Sequence, residues 1–164
     1  MEPKNVLIIG GLGFIGSCLA KKYVSKGDSV KILSKSDSKL KNIAGIESKV
    51  SLTIKDLKDI DLADVTDQDY IFNLAGSVDN YSIKADNPDR DPYLDIERNC
   101  TPTISLLETL KDHNPSAKLI FGSTFFVNGE LGINNLPATP KSPCNPLGLY
   151  PAARLCAEHF CHIY

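Results

Sequence analysis

The run Val6-Leu7-Ile8-Ile9-Gly10-Gly11-Leu12-Gly13-Phe14-Ile15-Gly16 is the feature that most limits how this chain can fold. Its four leading aliphatic residues lack polar alternation, which suits a strand covered on both faces, as in a parallel sheet. Four glycines then crowd into seven positions. Gly10 and Gly11 can take backbone angles closed to other residues, Gly13 lets the chain approach a ligand, and Gly16 lets the following helix pack close to the strand. A helix starting here presents its free amides and positive dipole end to the turn, forming a site for a pyrophosphate. Gly11, Gly13 and Gly16 fit GxGxxG, while Gly10, Gly13 and Gly16 fit GxxGxxG. In both readings the strand before and the helix after supply the context that gives the pattern meaning.

The rest of the chain repeats the alternation. Cys18, Leu19, Tyr23 and Val24 recur at helical spacing, Lys21, Lys22 and Lys26 fill the other face, and Gly27-Asp28 stops the helix. Val30 to Leu33 reads as a second strand with the polar exit Ser34 to Lys39, then a short helix to about Ala44. Val50 to Ile54 is a third strand, Ile60 to Thr66 a short helix, and Tyr70 to Leu74 a fourth strand closed by Ala75-Gly76-Ser77. The polar stretch from Val78 to Asp91 predicts a loop near a ligand. A long helix from about Pro92 to His113 follows, and Pro102 inside it predicts a kink or break. Lys118 to Phe121 is a fifth strand, Asn128 to Pro146 a long loop, and a last helix runs from Tyr150 to the end. Strands alternating with helices predict an α/β, Rossmann-type, doubly wound parallel sheet of about five strands with helices on both faces. Residues 1–164 read as one domain.

Composition removes several classes of function. A net charge of −2 gives no general attraction to nucleic acid or to an anionic membrane surface. No apolar run reaches membrane-spanning length, and Met1 to Asn5 has no secretory signal character, so a cytoplasmic location is expected. The five cysteines are an odd, scattered set without a CxxC pair, which suits reduced thiols. Cys156, His159, Cys161 and His162 do not share one helix face with metal-site spacing, so no metal is expected.

Taken together, these residues resemble the extended short-chain dehydrogenase/reductase family, in its NAD(P)-dependent nucleotide-sugar epimerase/dehydratase branch. Gly10 to Gly16 looks like the family's GGxGFIG, which implies that Gly10, Gly11, Gly13, Phe14, Ile15 and Gly16 bind the cofactor. Asp56-Leu57 looks like the acidic pair that holds the adenine, and Asn73-Leu74-Ala75-Gly76 is similar to the fourth-strand motif beside the ribose and nicotinamide. Asn99 sits where the family has a helix asparagine. Ser123 to Gly129 resembles SSxxVYG, placing Thr124 at the catalytic Ser/Thr position, and Asn145 to Glu158 is similar to the stretch that carries YxxxK. The resemblance covers nearly the whole chain. It implies a transient oxidation of a nucleotide-linked sugar, with Thr124, Tyr150 and Arg154 as the catalytic group.

The sequence departs from the family pattern in three respects. Ser34 stands where NAD-preferring members have an acidic residue, and with Lys35 or Lys39 it offers hydroxyl and ammonium donors for a 2′-phosphate, so NADP is preferred over NAD. Arg154 replaces the lysine of YxxxK; it supplies a cation for a Tyr150 phenolate but differs from an ammonium in the contacts it makes. Pro151 requires the helix to begin close to Tyr150. Finally, family members continue with a sixth strand and a smaller C-terminal substrate domain, whereas this sequence stops at Tyr164. Two readings follow: an enzyme of this branch or its N-terminal fragment, and a non-catalytic NAD(P)-binding or subunit-interaction module. The resemblance also implies a homodimer through the two long helices.

Overall fold

The structure, a computed structural model, describes residues 2–78, 91–131 and 136–164. The expected ligand loop falls mostly on residues 79–90, outside the described residues. The chain divides into two compact units: residues 1–75 with 103–122, and residues 76–102 with 123–164.

The first unit is a five-stranded parallel sheet in the order β3-β2-β1-β4-β5, formed by β1 Asn5–Ile9, β2 Ser29–Ser34, β3 Val50–Ile54, β4 Tyr70–Asn73 and β5 Lys118–Phe121. Val6, Leu7, Ile8 and Ile9 each have no exposed surface, as their unbroken aliphatic run requires at the centre of a sheet covered on both sides. Side chains alternate between two cores. Leu7 and Ile9 join Leu33, Ile71, Leu106 and Leu110, while Val6 and Ile8 join Leu12, Ala20, Val30 and Ile32. Each fully buried aliphatic side chain contributes about 1.5–3 kcal/mol of burial free energy. The strand order reverses at β1, so the crevice at the carboxyl ends of β1 and β4 is the topological switch point where such sheets bind ligands.

Helix α1 spans Phe14–Ser25 and ends where Gly27 takes φ +85°. Its buried residues are Gly16, Ser17 and Ala20, with Leu19, Tyr23 and Val24 packed beside the core. Cys18, expected on the buried face, is exposed, because the glycine contact at Gly16 sets which side of the helix meets the sheet. Between β2 and β3 the chain forms 3-10 turns at Leu40–Ile43 and Glu47–Lys49, the first in place of the expected short helix. A further 3-10 turn at Leu57–Asp59 precedes α2, Leu62–Val65, which starts with a capping box between Asp61 and Asp64.

The predicted break near Pro102 is present. Helix α3, Leu94–Asn99, ends at Cys100, and α4, Thr101–His113, begins anew with Pro102 in its first turn, where a missing N–H costs nothing. Helix α5 covers Leu149–Ile163, so Pro151 also lies in a first turn, as Tyr150-Pro151 required. In the second unit α3 packs on α5, and the 3-10 turn Phe125–Asn128 packs on α5 as well. That turn lies between the fifth strand and the expected long loop, where no sequence pattern marks it.

Candidate functional site

In the first unit the glycine turn lies against the exit of β4. Gly10 has φ +78°, and a Cβ there would stand 3.1 Å from Ala75 N and from Leu74 C. Gly11 needs space rather than an unusual angle: its Cβ would lie 2.7 Å from Ile32 Cγ2. A Cβ on Gly16 would overlap Gly10 O and stand 2.7 Å from Gly11 Cα, so α1 can leave β1 this closely only with glycine at that position.

Gly13 caps α1 in extended backbone without a side-chain hydrogen bond, and no acidic residue stands in the first turn. Phe14 and Ile15 are 84% and 62% exposed. The first-turn amides therefore have neither an intrahelical acceptor nor a capping carboxylate, and they point at a side-chain-free cradle. Such a cradle fits a pyrophosphate in size, charge and donors.

Ser34 ends β2, and its hydroxyl donates to Ser36 O at 3.0 Å. Lys35 Nζ pairs with Asp56 Oδ2 at 2.8 Å, and Asp56 Oδ1 accepts from Lys58 N at 3.2 Å. The hydrogen bond from Lys35 holds the Asp56 carboxyl below its ordinary range, against partial burial that acts the other way. Leu57 beside it is buried in the core. On β4, Asn73 is fully buried and its Nδ2 donates to Thr103 Oγ1 at 3.2 Å. Leu74 N continues the ladder to Ile9 O at 3.0 Å, and Ala75 packs on the core.

The second unit assembles the remaining residues. Asn99 Nδ2 donates to Ser77 O at 2.9 Å, and Ser77 N donates to Asn99 Oδ1 at 3.0 Å. The buried Asn99 thus fixes the backbone that follows Gly76. A Cβ on Gly76 would lie 2.9 Å from both Arg154 Nη1 and Asn99 Oδ1, so all three residues meet. Arg154 is only 3% exposed. Burial lowers its pKa, and the opposing charges of Tyr150 and Glu158, one turn away on either side along α5, raise it. An arginine so placed remains a cation at neutral pH. Thr124 caps the 3-10 turn, its Oγ1 accepting from Phe126 N at 3.4 Å. Tyr150 is half-buried in the first turn of α5.

Two residues that sequence reasoning had not singled out belong to this cluster. Ser123 donates its hydroxyl to Glu158 Oε1, which ties the segment containing Thr124 to α5. Glu158 follows Arg154 at the spacing that had already paired Arg154 with Tyr150, so the same periodicity could have found it. Ser123 carried no such signal. Among the described residues no group of three His, Cys, Asp or Glu side chains could hold a metal ion, and no helix is long and apolar enough to cross a membrane.

The chain is similar to known proteins over nearly its whole length. A UDP-glucose 4-epimerase of Lactobacillus helveticus is 27% identical over 154 residues, covering 94% of this chain and 45% of the relative. The structure of a UDP-N-acetylglucosamine 4-epimerase from Methanobrevibacter ruminantium, in complex with UDP-N-acetylmuramic acid, superposes with a TM-score of 0.82 at 28% identity, over 99% of this chain and 51% of that one. A UDP-glucose 4-epimerase from Thermus thermophilus in complex with NAD gives 0.79 at 26% identity, over 98% and 50%. The chain spans about half the length of the curated relatives it matches. With residues 6–164 matching the family's sequence pattern, the chain belongs to the NAD dependent epimerase/dehydratase family.

Proposed function

We propose that this chain is the cofactor-binding half of an NAD(P)-dependent oxidoreductase of the epimerase/dehydratase type, acting on a nucleotide-linked sugar. The observation that carries the reading is the file of Tyr150, buried Arg154 and Glu158 along one face of α5, in a chain that also holds the glycine cradle. When bound, the nicotinamide supplies a hydride acceptor and donor. The chain supplies the rest. The amides of the α1 first turn bind the pyrophosphate, Asp56 and Leu57 position the adenine, and Leu74, Ala75 and Gly76 form the wall beside the ribose and nicotinamide. Asn99 keeps that wall in place through Ser77.

Tyr150 exchanges a proton with the sugar hydroxyl while Thr124 holds that hydroxyl through a hydrogen bond. Arg154, one turn further along α5, places a cation beside this proton exchange. Ser34 and Lys35 favour NADP over NAD, since they offer donors where a carboxylate would repel a 2′-phosphate. Two copies pair through α3, α4 and α5, a role supported by the exposure of Tyr93 and Ile96 on α3 and just before it. The five free thiols suit a cytoplasmic setting.

Arg154 also favours a second reading, a cofactor-binding module without turnover. Its guanidinium sits against Gly76 and Asn99, where a planar fork cannot reproduce the contacts of an ammonium. Fluorescence titration with NADPH and NADH, followed by a hydride-exchange assay with nucleotide sugars, separates the readings. The enzyme reading expects exchange that Tyr150→Phe reduces by roughly 10²–10⁴-fold with cofactor binding retained. Binding without exchange supports the module, and absence of binding overturns both.

A further inference from the structure

The second unit brings three of the five cysteines together at the packing of α3 on α5. Cys100 closes α3 and is 3% exposed, whereas Cys156 on α5 is exposed. Their side chains are neighbours across the packing of α3 on α5. Both line one apolar cavity, with Pro92, Ile96 and Leu149 as further walls. Burial pushes the Cys100 thiol up to about 12, so it stays protonated and inert on its own. The thiol that meets solvent first is Cys156.

We propose that Cys100 and Cys156 are an oxidisable pair, at which a hydroperoxide forms an intramolecular disulfide that staples α3 to α5. The Cys156 sulfur attacks one peroxide oxygen and the O–O bond breaks. The departing oxygen takes a proton to leave as water, or as an alcohol from an alkyl peroxide, and Cys156 becomes a sulfenic acid. Cys100 sulfur then attacks the sulfenic sulfur, its proton goes to the departing hydroxyl, and a second water leaves as the S–S bond forms. Two thiols are oxidised by two electrons and one peroxide is reduced. Placement of both thiols on one cavity makes the second step intramolecular, which offsets the poor nucleophilicity of Cys100.

The staple would join the helices that carry Asn99 on one side and Tyr150 with Arg154 on the other. Cys100 and Cys156 share one cavity, and only Cys156 is open to solvent.

The test uses the whole chain, reduced and then treated with dilute hydrogen peroxide, quenched by alkylation and digested for mass spectrometry. The expected result is loss of two of the five thiols, a peptide linking Cys100 to Cys156, a chain that still runs as a monomer on a non-reducing gel, and full reversal by dithiothreitol. Cys156→Ser, at an exposed position, should fold normally and abolish the link, while Cys161→Ser and Cys18→Ser leave it intact. The proposal is overturned if Cys156 advances to a sulfinic acid with Cys100 still reduced, if Cys156 bridges two copies, or if Cys161→Ser removes the link instead.

Discussion

Arg154 stands so close to Gly76 that a Cβ on the glycine would lie 2.9 Å from a guanidinium nitrogen. Asn99 Oδ1 closes the same space at 2.9 Å, so neither neighbour leaves room for a methyl group. Because Asn99 is held to the Ser77 backbone at both ends of its amide, it cannot retreat without breaking two hydrogen bonds. Gly76→Ala is therefore expected to destabilise the protein by about 1–3 kcal/mol. The measurement is the urea midpoint at constant slope. In an Arg154→Lys background the loss should shrink, because a lysine lacks the planar head and its ammonium can swing aside. Equal losses in both backgrounds would show that the methyl meets something other than Arg154.

Asp64 predicts how the first unit responds to acid. It is 3% exposed, with Lys55 Nζ at 2.7 Å and Lys31 Nζ at 3.1 Å. Burial raises its pKa, but the hydrogen bonds from Lys55 and Lys31 outweigh that effect and leave it lowered. A folded-state pKa below the unfolded one contributes stability that is complete above the unfolded aspartate value of about 3.9. That contribution is lost as the pH falls through the folded pKa. Asp64→Asn should cost about 2 kcal/mol near neutral pH, below the ~3–5 kcal/mol of a fully buried pair because both lysines remain in partial contact with water. Its stability should also fall less steeply than the parent's below about pH 4. Parallel acid profiles for the two proteins would rule out Asp64 as the group responsible.

The legible parts of this fold were those fixed by local chemistry. The aliphatic run Val6 to Ile9 could only be a central strand, and Pro102 could only begin a helix or break one, and both features are present. Positions set by tertiary contact were less accessible. Gly11 read as a conformational glycine, yet it is required because Ile32 of the neighbouring strand leaves no space for a Cβ, a fact no local pattern carries. Cys18 followed the helical period but lies outside, since the close approach at Gly16 rotates α1. The candidate site divided in the same way. Tyr150, Arg154 and Glu158 share one helix and its spacing, so their proximity was readable in principle. The pairing of Ser123 with Glu158 and of Asn99 with Ser77 joins distant segments and was not.

The glycine turn gives a third prediction. A methyl on Gly16 would overlap Gly10 O and press on Gly11 Cα, both backbone atoms that cannot rotate away. Gly16→Ala should therefore displace the start of α1 and spoil the aim of its first-turn amides. Cofactor affinity is expected to fall at least about tenfold, or about 1.4 kcal/mol. Gly27→Ala is the control: it lies beyond the other end of α1, and nothing stands within 4 Å of its Cβ position. Its φ of +85° makes alanine strained there, so it should lose stability while keeping affinity. Isothermal titration with NADPH, alongside thermal unfolding, tells the two effects apart.

The choice between NADP and NAD rests on the end of β2, where a hydroxyl and a cation stand together. Ser34 donates to Ser36 O, and Lys35 reaches Asp56 while keeping its side chain 75% exposed. A carboxylate at position 34 would accept from a ribose 2′-hydroxyl and repel a 2′-phosphate, so Ser34→Asp should move the ratio of NADPH to NADH dissociation constants at least about tenfold toward NADH. Lys35→Ala tests the charge alone. Because Lys35 is exposed and already shared with Asp56, its loss should weaken NADPH by only about two- to fivefold, and added salt should reduce that difference. A large effect from Ser34→Asp beside a small, salt-sensitive one from Lys35→Ala would assign discrimination to the absence of a carboxylate more than to the presence of the lysine. If Ser34→Asp leaves the ratio unchanged, the 2′ position is read elsewhere and the preference for NADP loses its support.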